Sequence, residues 1–184
     1  MQFNHYGGEA AKLAADLVNA PVPFAPGDLE PLLAAHGIVE RTLTDVQAAE
    51  LEEWRRDLAA AFGPQELETR VAAVNALLAA ASSRPYLTTH DGHAPHLHYS
   101  APDADAAAHI RAVTAAGLAT LVCSAGAHRL GRCALPGCAL AFVDTSRNGR
   151  RAYCSVRCAN NDAVARHRAR TRTRARGGPR VSSP

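Results

Sequence analysis

The sequence predicts a mainly α-helical N-terminal part that includes one β-hairpin, followed by a small cysteine-bearing module that ends in a basic helix. Apolar residues make up 47% of the 184 residues but aromatic residues only 5%, which is typical of a helical core poor in large side chains. Apolar residues recur at three- and four-residue spacing over much of residues 1–128. This periodicity stops near Leu130, after which Cys, Gly, Asp, Ser and Arg dominate.

Helix start and stop signals divide the N-terminal part into short helices. Thr44 is a favourable N-cap, and the apolar pattern that follows it ends at Gly63. Pro64 is expected in the first turn of the next helix, and Asp28 is expected to cap an earlier one. Residues 103–123 predict the last helix of this part, in which Cys123 is expected to be a small core residue.

Residues 86–100 predict a β-hairpin, because Asp91–Gly92 separates two short β-prone runs. On such a hairpin, alternate histidines share one strand face and others could lie across from them. A metal or small-ligand site is one interpretation. The favoured interpretation is a polar outer face, because no carboxylate other than Asp91 is at hand to orient the imidazoles. The histidines of this segment are His90, His93, His96 and His98.

Charge is divided unevenly along the chain. Residues 1–128 carry a net charge of −8 and residues 129–184 a net charge of +11. An acidic surface is usually only solvated, whereas a short segment this basic usually binds a polyanion. The asymmetry predicts a helical domain over 1–128, a cysteine-bearing module with an Arg-rich helix over 129–176 and a disordered tail over 177–184.

Four of the five cysteines lie in two close pairs, with C-x4-C and C-x3-C spacing and fifteen residues between the pairs. Each pair can bind from one turn, and the loop lets the second pair complete a closed tetrahedral zinc site. Pro136–Gly137 favours a knuckle in the first pair, and Ser155 can cap a helix at the second, as in a treble-clef-like finger. Four independent buried or free thiols are the alternative. The predicted ligands of one structural zinc ion are Cys133, Cys138, Cys154 and Cys158.

The second part resembles the CGNR-type zinc finger, found at the C-terminus of bacterial stress-induced transcription regulators. The resemblance covers about residues 130–172 and rests on the C-x4-C pair, an F-x-D-x-S-R core, a basic pair before an aromatic residue, and C-S-x-x-C. It departs where the family has Gly-Asn-Arg, since this chain has Ala159, Asn160 and Asn161. The matching residues outside the cysteines are Phe142, Asp144, Ser146, Arg147, Arg150, Arg151, Tyr153 and Ser155.

The same resemblance implies an N-terminal ABATE-like domain, and residues 1–128 match that domain in layout only. Within the finger, Phe142 and Tyr153 are expected to form a miniature core over the zinc. Asp144 is suited to backbone hydrogen bonds that shape the loop, or to pairing with Arg147 or Arg151. We therefore interpret Asp144 as structural rather than catalytic.

The Arg-rich helix predicts binding to nucleic-acid phosphates. Every second residue from 166 to 176 is Arg, which gives two stripes on a helix, and apolar side chains are nearly absent. We expect the segment to be frayed alone and ordered on a polyanion. The planar guanidinium group of Arg can donate two hydrogen bonds to one phosphate. The residues at the helix start are candidates for contacts with base edges in a major groove. The candidate nucleic-acid-binding residues are Arg147, Arg150, Arg151, Arg157, Asn160, Asn161, Arg166, Arg168, Arg170, Arg172 and Arg174.

Two functions fit these features. The first is a DNA-binding transcription regulator, whose N-terminal domain senses or docks a small-molecule or protein signal. The second is a zinc-finger interaction module that binds RNA or an acidic protein, with the N-terminal part as a scaffold. The two differ in the steepness with which salt weakens binding. For the Arg-rich segment itself, a solubilising tail or binding to an acidic protein surface is the alternative to phosphate binding.

The sequence also predicts what the chain is not. It contains no phosphate-binding glycine loop and no metalloprotease, hydrolase or deaminase motif, so we expect no catalytic site. No uninterrupted apolar run approaches the ~18 residues that a membrane helix needs, and the N-terminus does not read as a signal peptide. We expect a cytoplasmic bacterial protein without a membrane partner.

Overall fold

A computed structural model describes residues 5–39, 41–89 and 95–176. It confirms the predicted fold class: a mostly helical N-terminal part with small two-stranded sheets, and a cysteine cluster followed by a C-terminal helix. The predicted tail over 177–184 lies outside the described residues. The helices are α1 (His5–Asn19), α2 (Pro26–Ala35), α3 (Asp45–Ala59), α4 (Leu67–Ala81), α5 (Ala106–Ala125) and α6 (Val156–Arg176), and the strands are β1 (Tyr86–Thr88), β2 (His96–His98), β3 (Leu130–Arg132) and β4 (Ala141–Val143).

Helix α5 is the central element of the core and packs against α1, α3 and α4. It approaches α1 closely, since a Cβ on Gly117 would lie 2.4 Å from the Cβ of Ala10. Glycine is therefore required where these two helices cross. The core also encloses one polar pair, in which the Trp54 indole donates to the Thr114 hydroxyl at 2.9 Å. Both groups are thus buried with a partner.

Among the described residues, α5 is the one helix long and apolar enough to cross a membrane, with 20 residues and a mean hydropathy of 1.5. The sequence interpretation missed it because His109 and Arg111 interrupt the apolar run. Its position between α1, α3 and α4 accounts for its composition, since a core helix is apolar on most sides.

The sequence predicts the start of a helix correctly where the side chain of the N-cap residue makes the capping hydrogen bond. Thr44 Oγ1 accepts from the Gln47 amide at 3.2 Å, and the Gln47 side chain accepts from the Thr44 amide at 2.9 Å. This capping box confirms Thr44 as an N-cap. Asp28 does not cap α2, because that helix already begins at Pro26 and Asp28 lies in its first turn.

Two other expectations for the helices are wrong. Pro64 precedes α4, which begins at Leu67, because the Gly63 amide donates to Leu130 O at 3.1 Å and holds the loop against β3. Cys123 is exposed rather than buried. The helical period of α5 directs Leu118 and Leu121 into the core and leaves position 123 on the solvent side.

The predicted hairpin is formed by β1 and β2, which pair antiparallel with Tyr86 opposite His98 and Leu87 opposite Leu97. Its turn, with Asp91–Gly92, His90 and His93, lies outside the described residues. The expected position of His90 across from the other histidines is therefore not described.

The strands β3 and β4 pair antiparallel, and β4 packs against α1. Leu130, Ala141 and Val143 are buried in the same hydrophobic cluster as the helices. At the end of α1, the Asn19 side chain donates to Ala141 O at 2.9 Å and accepts from the Ala141 amide at 2.8 Å. The second part is thus built onto the helical core, while the division of the chain into domains at residue 128 stays a prediction.

Two buried arginines also join these parts through backbone carbonyls. Arg70 of α4 donates to the carbonyls of Ala61 and Leu130, each at 2.7 Å, and to that of Gly63. Burial lowers the pKa of Arg70. Arg129 donates to Ala125 O at the end of α5 at 3.0 Å, to Asp144 O at 2.8 Å and to Ser146 O at 2.7 Å. Both guanidinium groups therefore hold backbone rather than face a ligand.

Candidate metal centre

The first cysteine pair lies in the turn that joins β3 to β4. The Cys138 amide donates to Leu135 O at 2.9 Å, and Gly137 adopts a φ of 84°, which favours glycine. The Cys133 amide donates to Leu140 O at 2.9 Å and closes the hairpin behind the turn. This turn is the predicted knuckle, and it directs both thiols to one side.

The second pair lies at the start of α6. Cys154 precedes the helix and Cys158 lies in its first turn. Ser155 Oγ accepts from the Cys158 amide at 3.2 Å, which confirms the predicted cap. Helix start and cysteine spacing therefore place Cys158 beside Cys154.

The four sulfur atoms all lie within 4.8 Å of one another. The Sγ–Sγ distances are 3.8 Å between Cys138 and Cys154, 3.5 Å between Cys154 and Cys158, and 3.9 Å between Cys138 and Cys158. With Zn–S bonds of ~2.3 Å, a regular tetrahedron has S–S edges of about 3.8 Å. The spacing fits one tetrahedral zinc ion, and four thiolate ligands leave no open position for catalysis.

Four thiols this close to one another can all lose their protons only when a cation is bound among them. Burial raises the pKa of Cys154 to about 12, with help from hydrogen bonds to the neighbouring thiols. Burial also opposes ionisation of Cys133, but amide hydrogen bonds from Cys154 and Leu135 and contacts with the other thiols outweigh it and lower its pKa to about 7. One thiolate thus forms readily and suppresses the next, and a bound zinc ion removes that repulsion.

Asp144 shapes the loop that connects β4 to the second cysteine pair. Its carboxylate is 1% exposed and accepts from the amides of Ser146 and Arg151, each at 2.8 Å. Burial opposes ionisation, but these hydrogen bonds and the nearby Arg129 outweigh it and lower the pKa of Asp144. The predicted structural role is confirmed, and Arg151 is paired through its amide rather than through its guanidinium.

The two aromatic residues of the finger have different surroundings. Phe142 is buried, and the Arg151 guanidinium lies 5.0 Å above its ring. Tyr153 is half-buried, and its hydroxyl donates to Asp162 at 2.7 Å. Asp162 in turn pairs with Arg166 at 2.7 Å. Tyr153 therefore fixes α6 to the loop, a role that the sequence analysis did not assign to it.

Residues 129–171 match the family model of the CGNR zinc finger. This segment is a CGNR zinc finger domain. The match and the cysteine cluster together assign one zinc ion to the chain, which confirms the predicted cofactor. The CGNR finger belongs to a class of domains that are typically non-catalytic.

No curated protein compared with the chain matches it. The likeness of residues 1–128 to an ABATE domain stays a prediction.

The candidate nucleic-acid-binding residues lie on the loop after β4 and along α6. Arg147 and Arg150 are exposed on the loop. Arg151 and Arg166 already have partners inside the finger, since Arg151 also donates to Tyr153 O at 2.7 Å and Arg166 pairs with Asp162. The exposed members on α6 are Arg157, Asn160, Asn161, Arg168, Arg170 and Arg172, and Arg174 lies on α6 with its side chain outside the described part.

The sequence analysis missed three residues that position the finger. Arg70 and Arg129 act through backbone carbonyls, which leave no pattern in a sequence. Asp162 could have been found, because Asp and Arg four residues apart on a helix form a favourable ion pair.

Proposed function

We propose that the chain is a cytoplasmic bacterial transcription regulator whose zinc finger presents α6 to duplex DNA. The observation that carries this proposal is a 21-residue helix anchored at the cysteine cluster and exposed over all of residues 163–173. Helix α6 is continuous to Arg176, and fraying of this helix in the absence of a polyanion stays a prediction. Such a helix has a long basic surface that no other part of the described chain covers.

Helix α6 has an anchored face and a free face. Cys158, Asp162 and Arg166 follow one another at four-residue spacing, and the cysteine cluster and Tyr153 hold this face. The helical period places Asn160 and Val164 on the opposite face. The free face begins close to the zinc site, where the helix is held most firmly.

Arginines flank the free face on both sides. By helical period, Arg168 and Arg172 lie along one side of it and Arg170 along the other. A helix in a major groove contacts base edges with its central face, while cations on its flanks contact phosphates of both strands. The alternating arginines of α6 have the arrangement that this docking requires.

The side chains on the free face suit base contacts. Asn160 can make a bidentate contact with adenine, and Arg157, which lies beside it, can do so with guanine. Val164 is 48% exposed, and such an apolar side chain in a basic helix suits a thymine methyl group. We assign the recognition of bases to Arg157, Asn160, Asn161 and Val164. We assign the binding of phosphates to the flanking arginines together with Arg147 and Arg150.

The acidic N-terminal part has a different role in this proposal. Its net charge of −8 disfavours contact with a polyanion. We assign to it the reception of a small-molecule or protein signal, and no catalytic step to any part of the chain.

The test is DNA selection by the zinc-loaded protein from a pool of random duplexes over a series of salt concentrations. We expect a recoverable sequence, and a log–log salt slope of about −0.9 for each phosphate contacted. Replacing Arg168 and Arg172 by Gln should weaken binding to all duplexes and flatten the slope by about 2. Asn160→Ala should relax base preference and leave the slope unchanged.

Chelated protein and a competing structured RNA serve as controls. Binding that survives chelation and prefers no sequence would contradict the proposal and reduce α6 to a charged tail. Preferred capture of the RNA, or a shallow salt dependence with an acidic protein, would favour the interaction module instead.

A further inference from the structure

We propose that His96 and His98 form a second metal site, for a late first-row divalent ion such as Zn²⁺ or Ni²⁺, in the N-terminal part. The two residues alternate on β2, so their side chains share one face of the hairpin. Their Nε2 atoms lie 3.1 Å apart, and their ring centroids are 5.0 Å apart with a tilt of 49°. The two nitrogens thus lie at hydrogen-bond distance from each other, close enough to bind the same ion.

This spacing fits two imidazoles on one ion, and it also fits a hydrogen bond between the two rings when no ion is bound. With metal–nitrogen bonds of ~2.0–2.1 Å, adjacent ligand nitrogens are about 2.9 Å apart in octahedral and about 3.4 Å apart in tetrahedral coordination. The observed 3.1 Å lies between these two values. Imidazole is a preferred ligand of zinc, nickel and copper, which decides the class of ion.

The His98 ring is oriented from its other side. The Tyr86 hydroxyl, directly across the strand pair, lies 3.4 Å from His98 Nδ1. The ring of His109 on α5 stands 5.7 Å from that of His98, and Ser100 Oγ is 3.1 Å from His109 Nδ1. Ligand histidines usually have the second nitrogen held in this way, which fixes the tautomer and the ring direction.

The two described histidines of the hairpin, His96 and His98, do not form the polar outer face that the sequence suggested. Its outer face carries Leu87 and Leu97, which are paired across the strands and are 70% and 50% exposed. His96 and His98 are half-buried, and His98 faces α5. The two imidazoles therefore lie on the more sheltered face of the hairpin.

Two protein ligands leave other coordination positions for water or for a further donor. We therefore expect an exchangeable ion, bound more weakly than the zinc of the finger. Such a site gives the N-terminal part a specific chemical input, which is a divalent metal ion. The inference does not depend on DNA binding, because it uses no residue of the finger or of α6.

The test is a calorimetric titration of the full chain, already carrying one equivalent of zinc, with Zn²⁺ at neutral pH. We expect a second equivalent to bind. His96→Gln and His98→Gln should each weaken it at least tenfold, and Tyr86→Phe should weaken it about tenfold because the His98 ring loses its partner. The matched control is His167→Gln, which removes an exposed imidazole from α6 and should change nothing.

Elemental analysis before the titration shows that each variant retains the zinc of the finger. Nitrogen-detected NMR of the imidazoles gives a second readout, in which Zn²⁺ should shift the Nε2 resonances of His96 and His98. Binding of no second equivalent would overturn the proposal. So would a second equivalent with the same affinity in His96→Gln and His98→Gln, or imidazole shifts confined to other histidines.

Discussion

At the scale of single residues, Asp144 organises the loop that delivers the second cysteine pair. Its carboxylate accepts two amides of the loop, and Arg129 holds the carbonyls of Asp144 and Ser146 from the other side. A buried amide that loses its acceptor lowers the free energy of unfolding by about 1–3 kcal/mol, because its hydrogen bond to water is not replaced by one within the protein. The zinc site therefore depends on a residue that does not touch the metal.

We expect Asp144→Ala to lower the free energy of unfolding by about 3 kcal/mol, because two amides lose their acceptor. The variant should also transfer zinc to a chelating dye faster than the wild type. Thr145→Ala, at the exposed neighbouring position, is the matched control. Equal zinc-transfer rates in the two variants would show that the carboxylate does not shape the loop.

A second residue-scale prediction concerns pH. Asp105 Oδ1 accepts from the Ala108 amide at 2.8 Å at the start of α5, and this bond, with a contribution from Gln47, lowers the pKa of Asp105. Since the folded pKa lies below the unfolded value of ~3.9, the stabilisation is complete above about pH 4. It is lost as the pH falls through the folded pKa.

Asp105→Ala should therefore cost about 1 kcal/mol of unfolding free energy at neutral pH, a difference that shrinks below about pH 4. Trp54 fluorescence during denaturant unfolding measures it, with Asp103→Ala as the control. Zinc leaves both proteins in acid, so only the difference between them is interpreted. A difference that stayed constant down to pH 2 would exclude the ionised cap.

At the scale of elements, α1 and α5 cross in close contact at Gly117. A Cβ on Gly117 would lie 2.4 Å from that of Ala10 and 2.8 Å from the Ala10 carbonyl carbon. We expect Gly117→Ala to destabilise the fold by about 1–3 kcal/mol through overpacking. Gly27→Ala in α2 is the matched control, because nothing lies within 4 Å of its added Cβ. Thermal unfolding of both variants checks this, and equal midpoints would refute the close approach.

The elements also show how far the sequence could be interpreted. The zinc ligands were predictable because cysteine spacing follows directly from coordination geometry, and Thr44 because a capping box is local. Cys123 was misplaced because its exposure depends on which side of α5 the neighbouring helices cover. The role of Arg70 could not be predicted from the sequence, because its partners are backbone carbonyls that only the tertiary fold brings together. The inward histidines could not be predicted without the packing of the hairpin on α5.

At the scale of the whole molecule, the finger and the helices share one core. Leu130, Ala141 and Val143 are buried in the cluster formed by α1 and the other helices. Loss of zinc should loosen the knuckle between β3 and β4 and thereby withdraw these residues from the core. We expect chelation to lower the thermal midpoint of the helical part as well as that of the finger.

Trp54 reports on the helical part alone, since it lies in the core beside Thr114. Its fluorescence midpoint should fall when a chelator removes the zinc. Asn19→Ala, which breaks the link between α1 and Ala141, should reduce that response. If the chelator left the unfolding midpoint measured by Trp54 fluorescence unchanged, the two parts would unfold independently.

The pair between Asn19 and the Ala141 backbone has a consequence for the exchange of this finger between proteins. Many zinc fingers are portable, because the metal alone holds them together. Here the sheet that carries the knuckle completes its packing on a helix more than a hundred residues earlier in the chain. A chimera that transplants the finger must bring along the matching face of α1, and mutations in either partner should be tolerated only together.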